Sequence, residues 1–288
     1  MDKIFNQIYV EISNICNLNC PFCIHSKRKQ NVMSNEEFKI VMNEIAPYTK
    51  SVYLHVLGEP LIHPNFLQIL ETAKEKKINL KITTNGINLS KYGDEIIKSG
   101  IVKRVNISLQ AMMSLKEVEY EKYLSNVLTF VKKASTIGSL NVSLRVWGNF
   151  KKESSAVKEV ISRFFLKNLG INEIENGKMV LPHVYFSLEE EFKWPSLTDE
   201  INNNRTTCLG GKTHLGILSD GRVVICCLDS NGETALGNIF SEPFSKIIKN
   251  PQYQSALEGF KTKKAILPLC KKCTYRNRFI KKNEEVLK

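Results

Sequence analysis

Cys16-Asn17-Leu18-Asn19-Cys20-Pro21-Phe22-Cys23 follows directly on Gln7–Ser13, the first stretch that reads as a strand, and its reading decides the rest of the chain. Three cysteines stand within eight residues, spaced Cys-x3-Cys-x2-Cys. Cys thiolates at short loop spacings bind iron–sulfur clusters. Structural zinc normally takes four ligands, so the triplet is one short unless His25 completes a zinc knuckle. Simply buried thiols are the plainest alternative. A [4Fe–4S] cluster held by three thiolates would leave one iron open to a small molecule.

Outward from this loop, strand-like and helix-like segments alternate. Gln7–Ser13 is rich in β-branched and apolar residues. Ser34-Asn35-Glu36-Glu37 has the form of a capping box and opens a helix. Val52–Leu57 reads as the second strand, with a helix over Phe66–Lys76. Leu80–Thr84 is a third strand, and a short helix runs from Ser90 to a stop near Gly100. Val102–Leu109 is the fourth strand, followed by one long amphipathic helix over Leu115–Ile137. Val142–Val146 is the fifth, with Ala156–Leu169 as its helix and Gly170 as the stop. Val184–Ser187 reads as a sixth. Such alternation predicts a parallel sheet wrapped by helices, either open or closed into a barrel. Both architectures gather functional groups at the carboxyl ends of the strands.

Motifs sit at those ends. The second strand ends in Leu57-Gly58-Glu59-Pro60, the third in Thr83-Thr84-Asn85-Gly86. The fourth carries Asn106-Ile107-Ser108-Leu109-Gln110, and the fifth Ser143, Arg145 and Trp147, which alternation puts on one face. By themselves Gly-Glu-Pro and Asn-Gly are also ordinary turns. An Arg inside a barrel needs an anionic partner; an outward Arg145 would instead pair with a helix carboxylate.

The pattern changes near residues 202–204. Beyond it come Gly-rich turns, a hairpin signal at Ser219-Asp220-Gly221 and five more cysteines. Cys208, Cys226, Cys270 and Cys273 make a four-thiolate set, for which zinc-ribbon and iron–sulfur readings compete. Cys226 and Cys227 contend for one position, since neighbours on a strand face opposite ways. Which of the two reaches the site stays open on these residues, and the one left over reads as a small buried hydrophobe. The five histidines share no ligand spacing.

Composition bounds the classes. The 288 residues are 42% hydrophobic and 24% charged, ordinary for a globular protein. No apolar run reaches the roughly 18 residues of a membrane helix, and the first residues lack the order of a signal peptide. A cytoplasmic location is therefore expected, where eight cysteines read as metal ligands or catalytic groups rather than disulfides. The net charge of +12 is concentrated toward the end: Lys261–Lys288 holds ten Lys/Arg against two Glu. Aromatics are not interleaved there as base stacking requires, so this stretch reads as a solvated surface rather than a nucleic-acid site.

The triplet with Phe22 before its third cysteine resembles the signature of the radical S-adenosylmethionine (SAM) superfamily. The resemblance implies an α/β fold: a partial (β/α)6 TIM-like barrel over residues 1–200. A small C-terminal β-hairpin/helix iron–sulfur domain, 201–288, would follow. The spacing Cys208-x17-Cys226 … Cys270-x2-Cys273, with Leu236–Phe240 between, is similar to the twitch module, a shortened SPASM domain. The implied cofactors are a SAM-binding [4Fe–4S] cluster on Cys16, Cys20 and Cys23, SAM itself, and one auxiliary [4Fe–4S] cluster on Cys208, Cys226, Cys270 and Cys273. The first cluster would cleave SAM to a 5′-deoxyadenosyl radical. Phe22, Gly58, Glu59, Asn85, Ser108, Gln110 and Arg145 are the implied cofactor-binding residues. Leu57 replaces a family Gly, and Gln110 stands where Asp is common. Among family members, the pattern is similar to that of the aminocyclitol dehydrogenases. The implied activity is oxidation of a sugar- or aminocyclitol-like small molecule, one that can carry phosphate, with a flavodoxin- or ferredoxin-type reductant. Epimerisation with Cys227 donating hydrogen, and modification of a ribosomal peptide, are alternatives. A zinc-binding nucleic-acid module is the alternative of another class.

Overall fold

The structure, a computed structural model, describes residues 4–147 and 156–280. In chain order its strands and helices begin β1 (Gln7–Val10), α1 (Asn35–Ile45), β2 (Ser51–Tyr53), α2 (Phe66–Glu75), β3 (Asn79–Thr84), α3 (Leu89–Ser99), β4 (Val102–Ser108), α4 (Tyr120–Ser135), β5 (Asn141–Trp147) and α5 (Ala156–Leu169). They continue with β6 (Met179–Leu181), β7 (Val184–Glu189), β8 (His214–Ile217), β9 (Arg222–Val224), β10 (Gly237–Asn238), α6 (Phe244–Ile247), α7 (Pro251–Lys261) and α8 (Pro268–Lys272). Two compact units interleave along the chain. One comprises the described residues of Met1–Asn14, Ser26–Gly58 and Phe192–Lys288; the other comprises Ile15–His25 and Glu59–Glu191.

In the first unit the strands lie in the order β10-β9-β8-β1-β2. β1 is parallel to both neighbours, with Ile8 opposite Val52 on one side and Leu215 on the other. β8 and β9 form the hairpin that Ser219-Asp220-Gly221 predicts, and Gly221 takes the positive φ of 83° that the turn requires. The capping box closes as read: Ser34 accepts from the Glu37 N–H, and the Glu37 carboxylate accepts from the Ser34 N–H. α1 buries Phe38, Val41, Met42 and Ile45, the i, i+3, i+4, i+7 face of an amphipathic helix. Phe244 is fully buried with ring contacts to Phe5 and Tyr48, burial that contributes about 2 kcal/mol.

Beyond Val10 the chain leaves the regular ladder, with only an isolated bridge at Ser13, so the strand is shorter than Gln7–Ser13. The reason is Glu11, fully buried, whose carboxylate takes two 2.7 Å hydrogen bonds from Arg28 and accepts the N–H groups of Leu57 and Ser219. The second strand likewise stops at Tyr53 rather than Leu57, because the Leu57 N–H goes to Glu11 instead of to a strand.

In the second unit the order is β3-β4-β5-β7-β6, parallel from β3 through β7, with β6 antiparallel at the edge. Its buried positions alternate along β3 and β5, as a half-covered sheet requires. Phe165 of α5 meets Phe186 of β7 edge to face, and both are fully buried. The expected single helix over Leu115–Ile137 is not one helix. Leu115 is extended, Glu117–Glu119 makes a 3-10 turn, and α4 starts only at Tyr120. The Glu119 carboxylate accepts the Lys116 N–H and so fixes the chain outside the helix. α5 has the predicted bounds, and Gly170 follows with φ 63°. Residues 281–288 of the basic stretch lie outside the described residues.

Candidate active site

In the second unit, residues 15–25 form a loop without regular structure that carries all three cysteines of the triplet. Cys16 is exposed, Cys20 buried and Cys23 between. The loop is turned by the Cys23 N–H on the Cys20 carbonyl at 3.0 Å, and the His25 ring nitrogen Nε2 also lies 3.0 Å from that carbonyl. Cys16 Sγ accepts from the Leu18 N–H at 3.4 Å and from the Asn85 amide at 3.8 Å. Burial pushes the Cys16 thiol up, and negative charge at Glu59, Cys20 and Cys23 adds to it. Cys20 is pushed up for the same first reason, with Cys23 and Glu59 beside it. A bound iron centre deprotonates coordinating thiols outright. Among the described residues no three His, Cys, Asp or Glu side chains close on one point as a single-ion site would require.

Glu59, 2% exposed, is fully engaged. One oxygen accepts from the Leu61 N–H and the Thr84 hydroxyl, the other from the Asn85 N–H at 2.6 Å. Burial raises its carboxyl to about 7, against the lowering effect of those bonds. Gly58 precedes it with φ 76°. Asn85 is held from several sides: its N–H by Glu59, its carbonyl by the Tyr123 hydroxyl at 2.9 Å, its side chain by Asn17 at 2.8 Å. Gly86 has φ 84°, and a Cβ there would sit 3.2 Å from the Tyr123 oxygen. The Thr-Asn-Gly turn is therefore a rigid platform under Cys16.

At the ends of the next two strands, Ser108 stands in register with Arg145. Gln110 is 4% exposed, and its Oε1 has no hydrogen-bond partner; the same holds for Arg145 Nε. Buried polar atoms without partners are rare and ask for a ligand. Ser143, Arg145 and Trp147 share the partly exposed face of β5, as alternation predicts. Phe22 meets Trp147 edge to face at 5.7 Å. These rings, with Pro21, Gln110, Met113 and Glu191, line a pocket of about 220 Å³. The pocket, the orphaned amide oxygen and the three-thiol loop fit a cluster with a chelated, adenine-bearing cofactor. Two larger concavities lie on outer helix faces, one between α2 and α3 and one between α4 and α5, away from these groups.

In the first unit, Cys208, Cys226, Cys270 and Cys273 line one small pocket, and Cys227 does not. Burial, then the charges of the other thiols, pushes Cys226 well up; Cys208 and Cys270 are raised by burial first as well. The alternation argument for separating Cys226 from Cys227 does not hold, because β9 stops at Val224. A turn separates them instead, closed by the Asp229 N–H on the Cys226 carbonyl. Cys227 interacts with the Tyr9 hydroxyl, and burial raises its thiol to about 12. The sequence reading missed Tyr123 and Glu191, and it placed Trp147 on the Arg145 face without giving it a role. It also missed Arg276, which lines the four-cysteine pocket and is 3% exposed. Its place in a basic stretch made it read as solvated.

A family model described as the radical SAM superfamily matches residues 10–159, and one described as a SPASM iron–sulfur cluster-binding domain matches 208–274. Among curated proteins the chain is 27% identical over 150 residues to a GTP 3′,8-cyclase of Alkaliphilus metalliredigens, covering 49% of this chain and 47% of that protein. It is 26% identical over 178 residues to a tungsten-containing aldehyde ferredoxin oxidoreductase cofactor-modifying protein of Pyrococcus furiosus, covering 57% and 49%. The matched segment thus spans about half the length of these relatives. Among solved structures, BtrN with AdoMet and 2-DOIA shares 19% identity at TM-score 0.62, covering 95% of this chain and 94% of that one. Streptococcus suis SuiB bound to its precursor peptide SuiA shares 16% at TM-score 0.60, covering 95% and 73%. These likenesses establish the fold: α/β, with an unclosed, barrel-like sheet.

Proposed function

Because the chain belongs to the radical SAM superfamily and carries a SPASM domain, we propose that it is an oxidoreductase acting on a sugar- or aminocyclitol-like small molecule. Membership implies a [4Fe–4S] cluster and SAM, and the SPASM domain implies auxiliary iron–sulfur binding. We keep the module division at 1–200 and 201–288. When bound, these groups would supply one-electron chemistry: reductive cleavage of SAM for hydrogen-atom abstraction, with the auxiliary cluster as acceptor of the second electron and solvent of the hydroxyl proton, the net change from an alcohol to a ketone.

The chain's part is to bind, orient and exclude water. Cys16, Cys20 and Cys23 hold the first cluster, and Asn85 steadies Cys16 through its amide. Phe22 and Trp147 wall the adenine, while Gln110, Ser108 and Arg145 offer the partners that ribose hydroxyls and a carboxylate need. Glu59, with Gly58 before it, fixes the Asn85 turn through the Asn85 N–H and the Thr84 hydroxyl. Cys208, Cys226, Cys270 and Cys273 hold one auxiliary cluster with no open iron, which favours electron transfer over substrate ligation. A cytoplasmic location and a flavodoxin- or ferredoxin-type reductant go with this reading. No helix among the described residues is long and apolar enough to cross a membrane.

The observation that carries the reading is that Cys208, Cys226, Cys270 and Cys273 line one pocket, while a second unit carries the three-thiol loop. The test is anaerobic reconstitution, iron and sulfide counting, and SAM cleavage with dithionite, followed by an aminocyclitol and nucleotide-sugar panel. About eight irons are expected, falling by about half with cleavage lost in Cys16→Ala. Four irons with cleavage intact remove the auxiliary cluster and the dehydrogenase with it. One observation favours epimerisation as a second reading: the half-buried Cys227 thiol is held protonated and set beside Tyr9. Solvent deuterium entering product, and stopping in Cys227→Ala, distinguishes it.

A further inference from the structure

Arg276 is a buried cation for which the described residues supply no anion. Its side chain is 3% exposed, and guanidinium groups do not lose their proton in proteins. Burying such a charge without a partner is costly. Yet no carboxylate among the described residues pairs with it. One Nη donates to the Asn204 carbonyl, the other to the Asn202 carbonyl, and Nε has no partner. Those two carbonyls fix the orientation of the group but bring no charge. The nearby carboxylates are committed elsewhere. Asp199 pairs with Lys193 at 2.5 Å, and Asp229 takes the Glu233 and Thr234 N–H groups and the Thr234 hydroxyl.

What Arg276 does face is the four-cysteine pocket. We infer that Arg276 is the built-in counter-charge of the auxiliary cluster and holds its reduction potential up. This rests on the reading that the four thiolates carry a cluster. Four thiolates outweigh the positive charge of a cubane core, so the group is anionic and becomes more so when it takes an electron. A fixed buried cation therefore stabilises the reduced form more than the oxidised one. The same charge lowers the proton affinity of Cys208, Cys270 and Cys273 against the burial that raises it. The unpartnered Nε, the absence of a carboxylate and the position in the pocket point the same way. An auxiliary cluster that must accept an electron from substrate needs such a bias; one that only braces the fold does not.

The test uses the full chain with Cys16, Cys20 and Cys23 changed to Ala, so that the auxiliary cluster alone gives a signal. EPR-monitored redox titration compares this protein with versions carrying Arg276→Gln, Arg276→Met or Arg276→Lys. Gln and Met remove the charge; Met also fills the apolar space if Gln disturbs folding. The expected result is at least a tenfold weakening of electron uptake for both, about 59 mV downward for a one-electron couple, with Lys staying near the parent. Equal potentials in parent, Gln and Met versions, each with full iron, overturn the inference while leaving the two-cluster reading standing. A parent chain that binds no iron overturns that reading and this inference together.

Discussion

Replacing Arg28 should be among the most damaging changes outside the cysteines. Glu11 is fully buried and the Arg28 side chain is 8% exposed, so the pair is shielded from water on both sides. Arg28 Nη2 reaches both carboxylate oxygens at 2.7 Å, and its Nε donates to the Ser230 carbonyl. Arg28→Ala leaves a buried carboxylate with only the Leu57 and Ser219 N–H groups. Removing one partner of a buried pair costs about 3–5 kcal/mol, whereas replacing both by apolar groups is often neutral. Glu11→Leu alone strands Arg28 and should cost a similar amount. Glu11→Leu with Arg28→Met should recover much of the loss, giving a coupling of about 2 kcal/mol or more in the double-mutant cycle. The assay is urea unfolding of the iron-free protein, followed by circular dichroism. Because Glu11 and Arg28 flank the cysteine triplet in sequence, iron release from the reconstituted protein to a chelator should also quicken in Arg28→Ala. A cost under about 1 kcal/mol for Arg28→Ala, as surface pairs show, or strict additivity in the double mutant, would refute the reasoning.

Glu59 carries a pH dependence whose sign is fixed by its raised carboxyl, about 7 in the folded chain against 4.5 in the unfolded one. The folded state holds the proton longer, so this contribution is complete below about pH 4.5 and is lost as pH rises through 7, about 3 kcal/mol in all. Glu59→Gln should flatten that part of the stability–pH curve of the iron-free protein, and an unchanged slope counts against the assignment. Gly210→Ala would place a Cβ 3.1 Å from Cys226 Cβ and 3.4 Å from the Ile225 carbonyl. It should cost about 1–3 kcal/mol and deplete the auxiliary iron; full iron with an unchanged melting temperature argues otherwise. Trp147→Ala removes the edge-to-face partner of Phe22. SAM affinity, read by calorimetry on the reconstituted protein, should fall about threefold to tenfold, matching about 0.5–1.5 kcal/mol for such a ring pair.

Local signals in the sequence were reliable where local chemistry decides. The Ser34–Glu37 box, the bounds of α5 and the Gly221 turn needed only neighbours within a few residues. The shortened second strand did not, since a carboxylate 46 residues earlier takes the Leu57 N–H. The parallel pairing of β1 with β8 was equally out of reach, because periodicity says nothing about which distant strand is the partner. At the site, the cysteines were legible from spacing. The choice of Cys226 came from the spacing resemblance, while the alternation that made Cys226 and Cys227 exclusive is replaced in the structure by a turn. Arg276 was hidden by its surroundings in sequence, where ten cations in one stretch suggest solvent rather than a pocket.

The β1–β8 ladder has a consequence for how the chain is made. Gln7 through Val10 emerge from the ribosome early, but their partners, His214 through Ile217, are roughly two hundred residues later. At about 5–20 residues per second, one edge of β1 waits on the order of ten to forty seconds. Through that interval an apolar strand with unsatisfied backbone groups is open to any passing strand. The thiols of the adjoining loop are meanwhile exposed to oxidants. Slow translation, or a stall before residue 214, should therefore raise aggregation of nascent chains more than a slowdown placed after it.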